Sequence, residues 1–373
     1  MLKSRLCIAF FAFAVGCAPA QKPLTDYVNP MLGTATLWDS VDLGFKPTKR
    51  TWGAEVFPGS SLPNAMVQVS PVTKFHSGAG YQYEDSVIYG FTHTNKGHWN
   101  LCHIPLLPVT GTPTPGDYCS PFSHERESAA PGYYQVFLDR YGVDAQLSST
   151  LRCAFHKYTY PAGAAPAVLA DLQRSNEHVR AWDIRKEGDN VFAGWQQTGE
   201  KMYFYAVANR PVTGIEPVVE GDREVRIVRF GEGDGALELR IGFSFVSEKN
   251  ARENLEAEML GKSFAEVRSE ATATWNDLLG RIRVEGGTER EKGLFYSSLY
   301  RSFLWPALRS DVNGEFTDVD GKVINPGFRY YTGPSYWDDY RNKLILLGML
   351  APDVAADVIS SDVDKGEKRG GFM

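Results

Sequence analysis

Excess positive charge, cysteine and long apolar runs are all scarce in this 373-residue chain, and each shortage closes off a class of function. Against 39 Lys and Arg stand 45 Asp and Glu, a formal net charge of -6. A nucleic-acid partner would select a basic face to neutralise phosphates, so that class is set aside. Of the 5 cysteines, Cys102, Cys119 and Cys153 are the ones beyond the N-terminal segment. In an oxidising compartment two of them could join, but the odd number leaves one thiol over and no pairing is assigned. Past the N-terminal segment no apolar run is long enough to cross a bilayer as a helix. A Gly-x-Ser-x-Gly elbow, a phosphate loop, a dinucleotide fingerprint, internal repeats and low-complexity tracts are absent as well. Single Ser, His and Asp residues abound, yet no spacing orders them into a triad.

What is present is an ordinary globular composition, 43% hydrophobic and 23% charged, in a length that suggests two domains or so. Aromatics are plentiful at 13%, with 8 Trp and 18 Tyr. Large β-rich cores are the plain account of that share. Flat faces on which sugars stack are the sharper one, because pyranose C–H faces are apolar while their rims need hydrogen bonds. Residues 1–20 read as a targeting segment: Lys3 and Arg5 supply the positive region, and the apolar stretch 6–15 is too short to span a bilayer. Two exits from it compete. Ala18-Pro19-Ala20 fits a soluble-protein cleavage site, whereas Ala14-Val15-Gly16-Cys17 resembles a lipoprotein box that would place a lipid anchor on Cys17. Export is expected, to the periplasm or as an outer-membrane lipoprotein of a Gram-negative bacterium.

Periodicity divides the rest. Residues 24–250 read as an antiparallel β-sandwich: Leu237, Leu239, Ile241, Phe243 and Phe245 alternate strictly, the pattern of a strand with one buried face. Val225 with Ile227 and Val136 with Leu138 repeat it, and Asp139-Arg140-Tyr141-Gly142 has the residues of a hairpin turn. The period then changes. Ser263 with Glu266 forms a capping box, followed at helical spacing by Phe264, Val267, Ala271, Trp275, Leu278 and Ile282. A second box, Thr288 with Glu291, opens a helix expected to carry Phe295, Leu299 and Phe303 on one stripe. The stretches 344–350 and 354–359 predict more helix, and 364–373 reads as a polar loop leading into something apolar. The expected class is therefore multidomain β + α, with residues 262–373 forming a linker helix and an incomplete helical domain.

Three constellations could carry chemistry. Four of the 7 histidines fall between His76 and His103. His93, His98, Cys102 and His103 could be drawn as a zinc site, but their spacing matches no standard finger, and on a strand Cys102 and His103 would point to opposite faces. Loop histidines bonded to a polar ligand, or satisfied within the loops, are the other two readings. The loop Trp52-Gly53-Ala54-Glu55-Val56-Phe57-Pro58-Gly59 could present aromatics as a stacking platform, or pack beneath a neighbouring domain. In Tyr336-Trp337-Asp338-Asp339-Tyr340-Arg341, paired acids beside an indole suit a polyol, since carboxylates accept hydroxyl hydrogens while the indole covers the ring. Adjacent acids are poor as an acid/base pair, because glycosidases need carboxyls on opposite sides of the scissile bond. A helix N-terminus uses the same residues, with Asp339 turned to the helix and Asp338 to a ligand.

At this point the chain resembles a known family, glycoside hydrolase family 92. Its opening motif is matched by Tyr27-Val28-Asn29-Pro30-Met31-Leu32-Gly33-Thr34. Phe57-Pro58-Gly59, Pro63, Met66-Val67-Gln68-Val69-Ser70-Pro71 and Tyr89-Gly90-Phe91-Thr92-His93-Thr94 follow in order. Phe122-Ser123-His124-Glu125 with Pro131-Gly132-Tyr133-Tyr134-Gln135-Val136 is the most specific piece. The series ends with Leu299-Tyr300-Arg301, Ser310-Asp311-Val312-Asn313-Gly314 and Trp337-Asp338-Asp339-Tyr340-Arg341.

The resemblance implies a sandwich, a linker helix and the beginning of an (α/α)6 barrel, with the active site between the two domains. It implies an exported enzyme that removes terminal α-linked mannose, α-1,2 in the first place, from N-glycans or mannans by inversion with Ca2+. General acid, general base and most calcium ligands are expected beyond Met373, so no catalytic or metal residue is assigned and the chain as given is expected to be inactive. Trp337 and Asp338 match positions that contact the terminal mannose. Trp52, Phe57, His98 and Trp99 are nominated for the leaving-group side. The stretch 37–50 and Lys96-Gly97-His98-Trp99-Asn100-Leu101-Cys102 depart from the family pattern, which bears on linkage preference. A non-catalytic glycan-binding sandwich module is the alternative, and a phosphorylase or trehalase relative a distant third.

Overall fold

The computed structural model describes residues 22–36, 44, 56–96, 99–333 and 339–371. The targeting segment, Cys17, Trp52, His98, Trp337 and Asp338 lie outside those residues.

Two antiparallel sheets face each other. One has seven strands in the order Ser60–Ser61, Gln68–Val72, Gly90–Thr92, Leu106–Val109, Ala167–Ala170, Arg223–Phe230 and Val212–Glu220. The other has eight: Ala181–Gly188, Val191–Gln197, Lys201–Ala208, Leu237–Ser244, Cys153–Thr159, Val143–Ser149, Tyr133–Leu138 and Glu127–Ala130. The alternation in Leu237–Ser244 does what its period requires: Leu237, Leu239, Ile241 and Phe243 are fully buried, joining Val69, Phe91, Val168 and Ile227 of the facing sheet in one core. The turn at 139–142 joins the strands Tyr133–Leu138 and Val143–Ser149 as expected, with Gly142 at φ +64°.

Among the described residues five helices follow, the first two covering the other face of the eight-stranded sheet. Helix α1 spans Glu248–Glu258, α2 Phe264–Leu279, α3 Glu289–Ser302, α4 Lys343–Leu350 and α5 Pro352–Lys368. Leu255 and Met259 at the C-terminal half of α1, with Phe264 and Val267 of α2, pack on Tyr133, Cys153 and Phe155. Both capping boxes form as predicted, at Ser263/Glu266 and Thr288/Glu291. Two expectations are corrected. The buried stripe of α3 is Tyr296, Leu299 and Tyr300, with Phe303 at its end, while Phe295 is exposed. The polar stretch after residue 363 is helical to Lys368, whose ammonium pairs with both Asp318 and Asp364 at 2.9 Å.

The helices are stitched to the first strands over long sequence distances. Asn64 donates its side-chain amide to Pro306 O (2.8 Å), Gln68 to Leu304 O (2.7 Å), and the Trp275 indole to Ser61 O (2.7 Å). Arg152, paired to Glu258 at 2.6 Å, also donates to Ser310 O. Asp311 is held by Ser244 and Asn254 at 2.6 and 2.7 Å.

Candidate functional site

The polar histidine cluster resolves into two separate arrangements. His93 lies wholly inside the sandwich, Nε2 to Nε2 with His156 at 3.0 Å, and His156 Nδ1 meets the Tyr158 hydroxyl at 2.6 Å. Burial pushes His93 down to about 3 and His156 well below its ordinary value, so both are neutral and one donates to the other. His103 faces elsewhere: Nδ1 is 2.9 Å from the Thr94 hydroxyl and Nε2 is 2.9 Å from the Thr198 hydroxyl. No group of three or more His, Cys, Asp or Glu that could hold a metal occurs among the described residues. Nor do Cys102 and His103 sit on a strand; they lie in the loop between Trp99–Asn100 and Leu106–Val109.

That loop is bent in an unusual way. Cys102 and Ile104, both fully buried, have φ of +53°. For a β-branched residue this is a rare conformation, costing about 1–3 kcal/mol and kept only where the surroundings over-determine it. Cys102 N is caught by Asn100 Oδ1 at 2.7 Å and Ile104 N by Gln196 Oε1 at 2.8 Å, which fixes both sides of His103.

From His103 a hydrogen-bonded run leads outward. The Thr198 hydroxyl donates to Glu177 Oε2 at 2.5 Å, and His103 Nε2 lies 3.5 Å from the same oxygen. The hydrogen bond from His103, with help from Thr198, holds the Glu177 carboxyl down to about 2 despite partial burial. Thr198 O–H is committed to the carboxylate, and His103 bridges the Thr94 and Thr198 hydroxyls through its two ring nitrogens. Two residues on, Glu200 pairs with Arg309 at 2.8 Å, and Arg309 lies over the Phe245 ring at 3.8 Å. Arg309 N donates to Tyr330 O at 2.7 Å. Tyr331 O takes the Lys365 ammonium at 2.9 Å, while Thr332 is tied to Ala307. Burial lowers the Lys365 pKa, with Arg309 and Arg369 adding to the effect. These contacts tie the sandwich loops to residues 330–332.

The nominated residues fall as follows. Phe57 is 2% exposed and belongs to the hydrophobic core, so it backs the loop and offers no open face. Trp99 begins the strand Trp99–Asn100, in register with Asn95–Lys96. Asp339, after 338, is buried and pairs with Lys343 of α4 at 3.2 Å. Sequence reading missed Glu177, Thr198 and Arg309, because residues 103, 177, 198 and 309 meet only through the sheet order. No short-range spacing marks them, and the one local anomaly, left-handed backbone beside His103, is invisible in side-chain chemistry.

Comparison with known proteins gives a consistent result. Residues 27–254 match the glycosyl hydrolase family 92 N-terminal domain and residues 250–373 the glycosyl hydrolase family 92 catalytic domain. Among solved structures, a family 92 alpha-mannosidase of Bacteroides thetaiotaomicron is 26% identical with a TM-score of 0.83, over 93% of this chain and 50% of that one. A family 92 inverting mannosidase of the same organism is 25% identical with a TM-score of 0.82, over 95% and 51%. An uncharacterized secreted glycosidase of Arthroderma benhamiae is 25% identical, over 78% of this chain and 42% of that protein. The chain therefore spans about half the length of the relatives it matches. With both of its family domains matched in order and its sandwich superposing on solved members, this chain belongs to glycosyl hydrolase family 92.

Proposed function

We propose that this chain forms the sandwich and the first part of the helical domain of an α-mannosidase that removes terminal α-linked mannose, α-1,2 by preference, from N-glycans or mannans with inversion. The observation that carries this is the superposition on family 92 alpha-mannosidases at a TM-score of 0.83 over 93% of the chain. One of these neighbours was solved with mannoimidazole and another is described as inverting. In this reading Trp337 and Asp338 contact the terminal mannose, and Trp52, His98 and Trp99 shape the leaving-group side, with Phe57 packed in the core beneath them. Asp339, already paired with Lys343, braces helix α4.

The family's calcium finds no cage among the described residues, where no three candidate ligands gather. The calcium ligands, the general acid and the general base are not assigned to any described residue. Localisation follows the same logic: an exported protein, periplasmic or lipid-anchored at Cys17. A relative described as secreted and the lack of a membrane-crossing helix among the described residues support that assignment.

The test is mannose release and disaccharide binding by the 373-residue chain. Incubated with α-1,2-mannobiose, with or without calcium, it should liberate no mannose; turnover at an enzyme's rate would show that acid and base lie within it. It should bind α-1,2-mannobiose in preference to α-1,2-glucobiose. Trp337→Ala or Asp338→Asn should weaken that binding tenfold or more, one charge-assisted hydrogen bond or stacked ring. Equal binding of the two sugars would favour the glycan-binding module without mannose specificity.

A further inference from the structure

We propose that the cleft between helix α2 and the outer face of the eight-stranded sheet binds an acidic saccharide, with Lys157 and Arg268 receiving its carboxylates. None of the residues involved has a part in the mannosidase reading.

The walls follow from strand and helix periods. In the paired strands Val143–Ser149 and Cys153–Thr159, Ala145, Leu147 and His156 turn into the sandwich, so Gln146 and its cross-strand partner Lys157 point outward. Opposite them on α2, Phe264, Arg268 and Thr272 stand four residues apart and share one face. Between helix and sheet lies a cleft of about 620 Å³, a size that suits a small ligand. Ala265, Ser269 and Ala273 line it with short side chains, which keeps it open.

Both cations are held in place without a counterion. The Arg268 guanidinium lies over the Tyr133 ring at 3.6 Å, and the Lys157 ammonium stands 5.7 Å from the centre of the Phe264 ring. Phe264 in turn meets Tyr133 edge-on at 6.2 Å, so the four side chains form one patch. Among the described residues neither cation makes an ion pair or a side-chain hydrogen bond. The neighbouring acids are engaged elsewhere. Asp144, on the same sheet face as Gln146, accepts from Gln135 at 2.6 Å and from Gln146 at 2.9 Å. On α2, Glu266 closes the capping box, Glu270 pairs with Lys262, and Asp277 pairs with Arg281. In a chain with 45 acidic against 39 basic residues, two unpaired cations on one cleft mark a place for an outside anion. Donation to Asp144 also leaves the Gln146 amide oxygen to accept, beside the Ser269 hydroxyl. A bare phosphate would use the cations and leave that acceptor idle. A sugar acid uses both, its carboxylate on Arg268 or Lys157 and a hydroxyl on Gln146.

The experiment is calorimetric titration of the 373-residue chain at low salt with digalacturonate, with neutral cellobiose and with inorganic phosphate. Digalacturonate should bind about tenfold or more tightly than cellobiose, and phosphate at equal concentration should not displace it. Lys157→Gln combined with Arg268→Gln should lower digalacturonate affinity about tenfold or more, with the melting temperature nearly unchanged. Equal binding of the two disaccharides, no binding of either, or full affinity in the double variant would overturn the proposal. Phosphate that displaces digalacturonate at equal concentration would overturn it in favour of a plain anion site. Should the double variant fail to fold, Ser269→Trp takes its place, since it fills the cleft and keeps both charges. Full digalacturonate affinity in that variant would mean diffuse attraction to surface charge and would overturn the site.

Discussion

Two imidazoles that meet nitrogen to nitrogen deep in the sandwich, His93 and His156, give the fold a definite response to acid. Their folded pKa values are depressed by burial, His93 to about 3, so their contribution is present above the ordinary histidine value near 6.5 and is lost as pH falls toward the folded values. Asp311 acts in the opposite sense. Burial raises its carboxyl to about 6, so its contribution is present below the usual carboxylate range and is lost as pH rises through about 6. Burial raises the Asp171 carboxyl as well, in the same sense as Asp311, so the histidine pair is isolated by substitution. His156→Phe puts a larger apolar ring in a fully buried place, strands the Tyr158 hydroxyl and His93 Nε2, and should destabilise the protein by about 2 kcal/mol or more at neutral pH. It should also flatten the fall in urea midpoint between roughly pH 7 and pH 5; an unchanged slope would count against a neutral buried pair. At this scale the sequence was only partly legible. His93, His98, Cys102 and His103 drew notice as a dense polar cluster, but which histidine turns inward depends on His156 of the strand Cys153–Thr159, 63 residues after His93 in sequence. Phe57 shows the reverse: an aromatic in a loop looked available for stacking, yet it is core.

Elements were read well where their signal was local. Ser263 and Thr288 each begin a helix with a reciprocal Glu three residues on, and both boxes formed because each satisfies donors that no intrahelical carbonyl can reach. Helix α1 escaped because its buried face is Asn250, Ala251, Asn254 and Leu255, half of it polar, so no apolar period announces it. Asn254 is instead consumed by Phe243 O, Asp311 and the Val312 amide. What lets α1 lie so close is Gly242. A β-carbon there would stand 2.1 Å from Ala251 O and 2.8 Å from Leu255 Cβ, both fixed parts of the helix. Gly242→Ala should therefore push α1 off the sheet and cost about 3 kcal/mol or more, measurable as a drop in urea midpoint. A variant as stable as the native chain would mean that α1 slides freely over this strand.

Among the described residues, the last two helices carry exposed apolar side chains in pairs along one face. Ile345 and Met349 of α4 are 61% and 71% exposed, and Ile359 and Val363 of α5 are 64% and 41% exposed, each pair one turn apart. Two such stripes on a chain of this size favour self-association. Met349→Glu with Ile359→Glu should lower light scattering at high protein concentration while leaving the melting temperature nearly unchanged; scattering that persists would point to another surface. The sandwich-plus-helices plan was readable throughout, since periods of two and of 3.6 residues are written in order along the chain. The stitching between them was not, and it has a temporal meaning. Gln68 and Asn64 find their partners 236 and 242 residues later, at Leu304 and Pro306. At about 5–20 residues per second, roughly 10–50 s of synthesis separate the first strands from the carbonyls that close over them. The opening third of the polypeptide therefore leaves the ribosome with no finished partner surface. The contacts that tie the first strands to the helical part therefore close last, well after those strands have emerged.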